Sequence, residues 1–144
     1  MPTQYNDSYP SCSNTYATLR IYHDNLDPSR ITRVLDIEPS QVQVKGQVVT
    51  GNYSRVFTPP IGGWFLTTED MVVSKDLRRH VDWILERLTG KDELLKNLQA
   101  EGNWMDIFCL WLSTEGHGGP TLSPSIMRRL AELELEIGFD LYVP

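Results

Sequence analysis

The spacing of apolar residues changes several times along this chain, and each change marks an element. Ala17, Leu19 and Ile21 alternate with Thr18, Arg20 and Tyr22. That period of two sets successive side chains on opposite faces of a strand. Asp27-Pro28 follows, a capping carboxylate and a proline suited to the first helical turn. Behind it Ile31, Val34 and Leu35 share one helical face, and Glu38-Pro39 marks the stop. Gln41-Val42-Gln43-Val44-Lys45 alternates again and predicts a second strand. Between Gly46 and Gly63 the pattern breaks up around Gly51-Asn52 and Thr58-Pro59-Pro60, which reads as an irregular loop or hairpin. Gly62-Gly63-Trp64-Phe65-Leu66-Thr67-Thr68 predicts a third strand.

A helical period then returns. Ser74 is the expected cap of a long helix with Leu77, Val81, Ile84, Leu85 and Leu88 inward and Arg78, Arg79, Asp82 and Glu86 outward. Gly90 breaks it, and a further helical piece runs through Leu94, Leu95 and Leu98 to Gly102. The apolar run from Trp104 to Leu112 predicts a strand covered on both faces. Glu115-Gly116-His117-Gly118-Gly119-Pro120 punctuates it, and Ser123-Pro124 starts the next helix. Last, Ile137, Phe139, Leu141 and Val143 alternate with Glu136, Gly138, Asp140 and Tyr142, the pattern of a half-buried strand.

This order predicts an α+β protein. It has a single mixed or antiparallel sheet, helices on one face, and the ferredoxin-like β-α-β-β-α-β order plus a C-terminal helix and strand. Residues 1–15 are Ser-, Asn- and Tyr-rich without periodicity and read as a loose N-terminal tail, leaving residues 16–144 as one domain.

Bulk composition adds limits. The 144 residues are 40% hydrophobic and 22% charged, ordinary for a globular domain able to bury a core without staples. Thirteen basic and nineteen acidic residues give a formal charge of −6, which disfavours nucleic acid and anionic membranes as partners. No run approaches the roughly 18 apolar residues of a membrane span. The first residues lack the basic and apolar regions of a signal peptide, so a cytoplasmic protein is expected. Of the two cysteines, Cys12 falls in the polar tail and Cys109 in an apolar strand. No disulfide framework is expected, and Cys109 reads as an inert core thiol.

Chemistry-bearing patterns are sparse. The loop from Glu115 to Leu122 brings Glu115 and His117 among glycines at the start of a helix, but it matches neither a phosphate-binding loop nor a dinucleotide fingerprint. His23, His80 and His117 share no metal-ligand spacing, so no metal or cofactor is expected. No serine-nucleophile elbow is present, and no catalytic residue is assigned. Asp106 and Asp140 interrupt apolar strands. They must face water, find partners or, if their strands are neighbours, share a proton. Four tryptophans are many for this length. Trp83 lies one position off its helix's apolar stripe, and with Trp64 it marks a candidate interface.

Three blocks of sequence carry a resemblance. The first is Ala17-Thr18-Leu19-Arg20-Ile21 with Leu26-Asp27-Pro28-Ser29-Arg30-Ile31-Thr32 and Leu35-Asp36-Ile37-Glu38-Pro39-Ser40. The second is Lys45-Gly46 with Gly63-Trp64-Phe65-Leu66. The third is Leu122-Ser123-Pro124, Arg129-Leu130-Ala131-Glu132-Leu133 and Phe139-Asp140-Leu141-Tyr142. In this order the chain resembles the bacterial domain-of-unknown-function 4279 family over about residues 16–143. The resemblance implies a short stand-alone protein and carries over no site residues. The segment Gln47–Pro60 is longer than the family pattern suggests.

Two functions are in keeping with these features. The leading expectation is a non-enzymatic protein-binding domain of the adaptor or immunity type, with a protein partner that includes, as one form, a second copy in a homodimer. The other is a small-ligand binder or hydrolase-like enzyme built on Glu115, His117 and Asp140.

Overall fold

The computed structural model describes residues 3–50 and 56–144. Seven strands and four helices are described: β1 (Cys12–His23), α1 (Pro28–Leu35), β2 (Gln41–Gln43), β3 (Val49–Thr50), β4 (Val56–Phe57), β5 (Gly62–Thr67), α2 (Leu77–Arg87), α3 (Asp92–Ala100), β6 (Trp104–Ser113), α4 (Pro124–Leu133) and β7 (Glu136–Tyr142). Five of the strands form one sheet in the order β2-β5-β1-β6-β7, and β3 and β4 form a separate two-stranded ribbon. That ribbon lies within the Gln47–Pro60 segment, of which residues 51–55 fall outside the described residues. Every main-sheet pair is antiparallel except β6 and β7, which run parallel across the α4 connection. The protein is therefore α+β with a mixed sheet.

Local chemistry accounts for the helix ends. Asp27 accepts from the Ser29 N–H at 3.1 Å ahead of Pro28, and Ser123 accepts from the Ile126 N–H at 3.1 Å ahead of Pro124. Helix α1 stops before Glu38-Pro39, because Asp36 takes a left-handed conformation and donates its N–H to the Thr32 carbonyl. The cap of α2 is Asp76, and Ser74 takes a different role. The Asp76 carboxylate accepts from the Arg78 N–H at 3.1 Å, while the Ser74 hydroxyl accepts from the Asp76 N–H and donates to Asp7. Two capping residues compete here, and the carboxylate also gains a charged partner in Arg78 at 2.7 Å.

Alternation along the strands sorts the sheet into two faces. Ala17, Leu19 and Ile21, Trp64 and Leu66, and Met105, Ile107 and Cys109 are buried in one cluster. Ile31 and Leu35 of α1, Leu77, Val81, Ile84 and Leu85 of α2, Leu95 and Leu98 of α3, and Ile126, Leu130 and Leu133 of α4 complete it. All four helices thus cover the same side. Strand β6 departs from the expectation of cover on both faces: Phe108, Leu110 and Leu112 are only half-buried and Trp104 is 47% exposed. Its apolar run is continuous because the second face is aromatic and aliphatic without being covered.

The β7 pattern is also only partly realised. Ile137 packs on the core, yet Phe139, Leu141 and Val143 are 38%, 51% and 55% exposed. This strand ends the sheet, and no described element lies beyond it to receive those side chains.

The N-terminal segment is more engaged than a loose tail over residues 1–15 implies. Strand β1 already begins at Cys12, which is buried. Before it, Tyr5 donates to Asp82 at 2.5 Å, and the Asn6 N–H donates to Asp76 at 2.8 Å. Asp7 pairs with Arg79 at 2.8 Å, and the Tyr9 ring meets Trp111 edge-on. The outward arginines Arg78 and Arg79 hold this segment instead of facing only water.

A candidate binding face on the open side of the sheet

The side of the sheet away from the helices carries its chemistry at the strand centres. In β1 the residues out of phase with the core are Tyr16, Thr18, Arg20 and Tyr22, and antiparallel pairing sets Arg20 opposite both Asp106 of β6 and Phe65 of β5. Arg20 holds Asp106 through two bonds, Nε to Oδ1 at 2.8 Å and Nη2 to Oδ2 at 2.6 Å. The carboxylate side chain is 7% exposed and the guanidinium side chain 26%. The hydrogen bond to Asp106 raises the Arg20 pKa, so the guanidinium stays charged.

Aromatic rings surround the pair. The Arg20 guanidinium lies 4.2 Å from the Phe108 ring centroid, 5.4 Å from Trp104 and 5.6 Å from Tyr22. Tyr22 in turn meets Phe65 edge-on at 5.3 Å and lies against Trp104 at 5.6 Å. A glycine makes this possible at one position. A Cβ on Gly63 would come within 2.5 Å of the Phe65 ring, so only a bare backbone leaves that ring its place.

Next to the cluster, Tyr16, Thr18, Arg20, Phe108, Leu110 and Asp140 line a shallow depression of about 190 Å³. Burial raises the Tyr16 hydroxyl pKa, with the Glu69 carboxylate adding to the effect. The arginine is neutralised by its own partner, and the remaining charges at this end are acidic.

The residues singled out from the sequence disperse. Trp64 is fully buried and donates its Nε1–H to the Thr32 hydroxyl at 3.1 Å; it belongs to the core and cannot line an interface. Trp83 is half-buried on the helical side, with the Arg87 guanidinium 3.3 Å from its ring centroid. It lines a groove of about 580 Å³ with Ile37, Pro39 and Met71. Glu115 and His117 lie 3.6 Å apart, both largely exposed. The buried Ser113 hydroxyl ties their loop, donating to the His117 carbonyl and accepting the Gly116 N–H. Neither side chain lines the depression that Asp140 lines. Asp106 and Asp140 are also apart, since Asp106 faces Glu136 and Asp140 faces Leu110.

Arg20, Tyr22, Phe65 and Phe108 carry this face and were not singled out. The signal available was their phase, opposite to Leu19, Leu66 and Ile107, but the Arg20–Asp106 pairing requires the strand register. Elsewhere, His80 of α2 is buried in the interior. The Cys109 thiol, deep in the core, is pushed up to about 12 by burial. Among the described residues no three His, Cys, Asp or Glu side chains group to hold a metal ion, and no helix is long and apolar enough to cross a membrane.

Comparison with known proteins gives one match. The family model described as a domain of unknown function, DUF4279, matches residues 13–144, from the start of β1 through β7. No curated protein and no solved structure matches the chain. With nearly its whole length matched, the chain belongs to the DUF4279 family.

Proposed function

We propose that this protein is a non-enzymatic protein-binding module of the adaptor or immunity type, and that it holds its partner on the open face of the sheet. The observation that supports this reading is the half-exposed cluster of Tyr22, Phe65, Trp104 and Phe108 around an internally paired Arg20–Asp106. Aromatic rings beside a pre-ordered ion pair offer contact area at low entropic cost, the composition of binding hot spots. The order β2-β5-β1-β6 fits a ferredoxin-like core with β7 added at the edge, an architecture that leaves one sheet face free. Two free, buried cysteines fit a reducing compartment such as the bacterial cytoplasm.

Aromatic side chains on such a face also serve single-stranded RNA in other proteins. Here the net charge of −6 and the acidic Glu136 and Asp140 oppose a phosphate backbone. They favour a partner with apolar and basic side chains. Nothing groups Glu115, His117 and Asp140 for the small-ligand or hydrolase-like alternative.

The test is a partner captured with the purified protein and titrated by calorimetry against Trp104→Ala and, as a control on the helical side, Met127→Ala. Trp104→Ala weakens binding at least about 30-fold, the size of a hot-spot loss of about 2 kcal/mol, and Met127→Ala leaves it unchanged. The reverse pattern moves the interface to the helices. A saturable thermal shift with a metabolite, removed by His117→Ala, replaces the reading with the small-ligand one.

A further inference from the structure

The two edges of the main sheet differ. At one end β2 is only three residues long, and a short edge offers little to pair with. At the other end β7 is seven residues long, pairs with β6 without a bulge, and contains neither lysine nor proline between Glu136 and Tyr142. Apart from the charges of Glu136 and Asp140, the devices that usually blunt an edge (a short strand, a bulge, lysine or proline) are absent from β7. Its outer backbone groups have no strand partner among the described residues, and Phe139 and Leu141 stand exposed beside them on the helix side.

We propose that the occupant of this edge is a second copy of the chain, its β7 paired antiparallel with the first about a two-fold axis at Phe139. The sequence of β7 is self-complementary in that register. Ile137 faces Leu141 of the other copy, Phe139 faces itself, Glu136 faces Tyr142, and Asp140 faces Gly138. Gly138 borders open space, where even an added Cβ would meet nothing within 4 Å, so the incoming carboxylate side chain meets no obstruction. Moving the axis to Gly138 sets Glu136 against Asp140, and moving it to Asp140 sets that carboxylate against itself. Both are unfavourable in a cross-strand pair. The Phe139 register also pairs the whole strand, whereas the displaced ones leave its ends over.

A two-fold axis perpendicular to the sheet keeps the helices of both copies on one side. The two open faces then lie next to each other in one continuous sheet. This pairing is independent of what the open face binds, because it rests on the edge alone.

Sedimentation equilibrium across the micromolar range tests it. The expected result is a reversible dimer that Leu141→Lys weakens at least about tenfold, while Val42→Lys on the β2 edge leaves it intact. Leu141 is already half-exposed, so circular dichroism of Leu141→Lys stays native. Mild oxidation of Phe139→Cys yields a disulfide-linked dimer, since facing residues bring Cα atoms to about 4.5–5.5 Å. Asp140→Cys, diagonal to its counterpart, does not. Cys12 and Cys109 are buried and do not interfere. A monomer at every concentration overturns the proposal. So does a dimer that Leu141→Lys leaves intact and Phe139→Cys fails to link.

Discussion

Single side chains in this protein divide into those whose role is local and those whose role depends on distant strands. His80 shows the second kind. Its Nε2–H donates to the Ser74 carbonyl at 2.8 Å, which leaves Nδ1 to accept from the Thr68 hydroxyl at 2.6 Å. That hydroxyl oxygen accepts the Ala17 N–H at 3.0 Å, tying helix α2 to the centre of β1. Burial lowers the His80 pKa from its ordinary 6.5, against smaller opposing effects of the Ser74 carbonyl, Asp76 and Asp7. The folded state therefore binds this proton less readily than the unfolded chain. Its contribution to stability is complete above pH 6.5 and is lost as the pH falls below that value. Unfolding free energy measured in urea should decline toward pH 5 by at most about 1.4 kcal/mol per pH unit from this group. The decline should be absent in His80→Asn. Asp76, held low by its hydrogen bonds to Arg78 and Asn6 despite burial, loses its contribution only at lower pH.

Among the elements, β6 and β7 show how an alternating pattern can hold while its burial changes. Ile107 of β6 is fully buried between the sheet and the helices, whereas Phe139 of β7 has the same phase and lies on an edge. By pattern alone Phe139 lines the core, and its truncation would cost about 3–5 kcal/mol. With 38% of it exposed, Phe139→Ala should lower the stability of dilute monomer by only about 1 kcal/mol. Ile107→Ala should cost about 2–5 kcal/mol. Chemical denaturation of both variants at low protein concentration checks the contrast. Equal losses would place Phe139 inside after all.

For the whole molecule, one core joins the sheet to all four helices, so opening should be cooperative. Both thiols are buried, Cys109 within this core at the centre of β6 and Cys12 outside it at the start of β1, each 1% exposed. Burial raises both thiol pKa values, so neither supplies a reactive thiolate in the folded state. Thiol labelling should therefore follow global unfolding at Cys109. If residues 3–11 detach on their own, Cys12 reacts first, and mass spectrometry of partly labelled protein separates the two. Labelling of Cys109 in native buffer at the rate of a free thiol would contradict the packing.

The sequence by itself determined the element order, most helix boundaries and the α+β class, because caps, prolines and side-chain periods act over a few residues. Asp27-Pro28 and Ser123-Pro124 start their helices as their chemistry requires. Only the tertiary structure decided which strands are neighbours, and with them the site. Arg20 and Asp106 are 86 positions apart and meet through the β1–β6 register. Trp64 moves into the core, and Phe139 moves out of it. Burial is a property of what packs against a face, and local spacing shows the face without its neighbour.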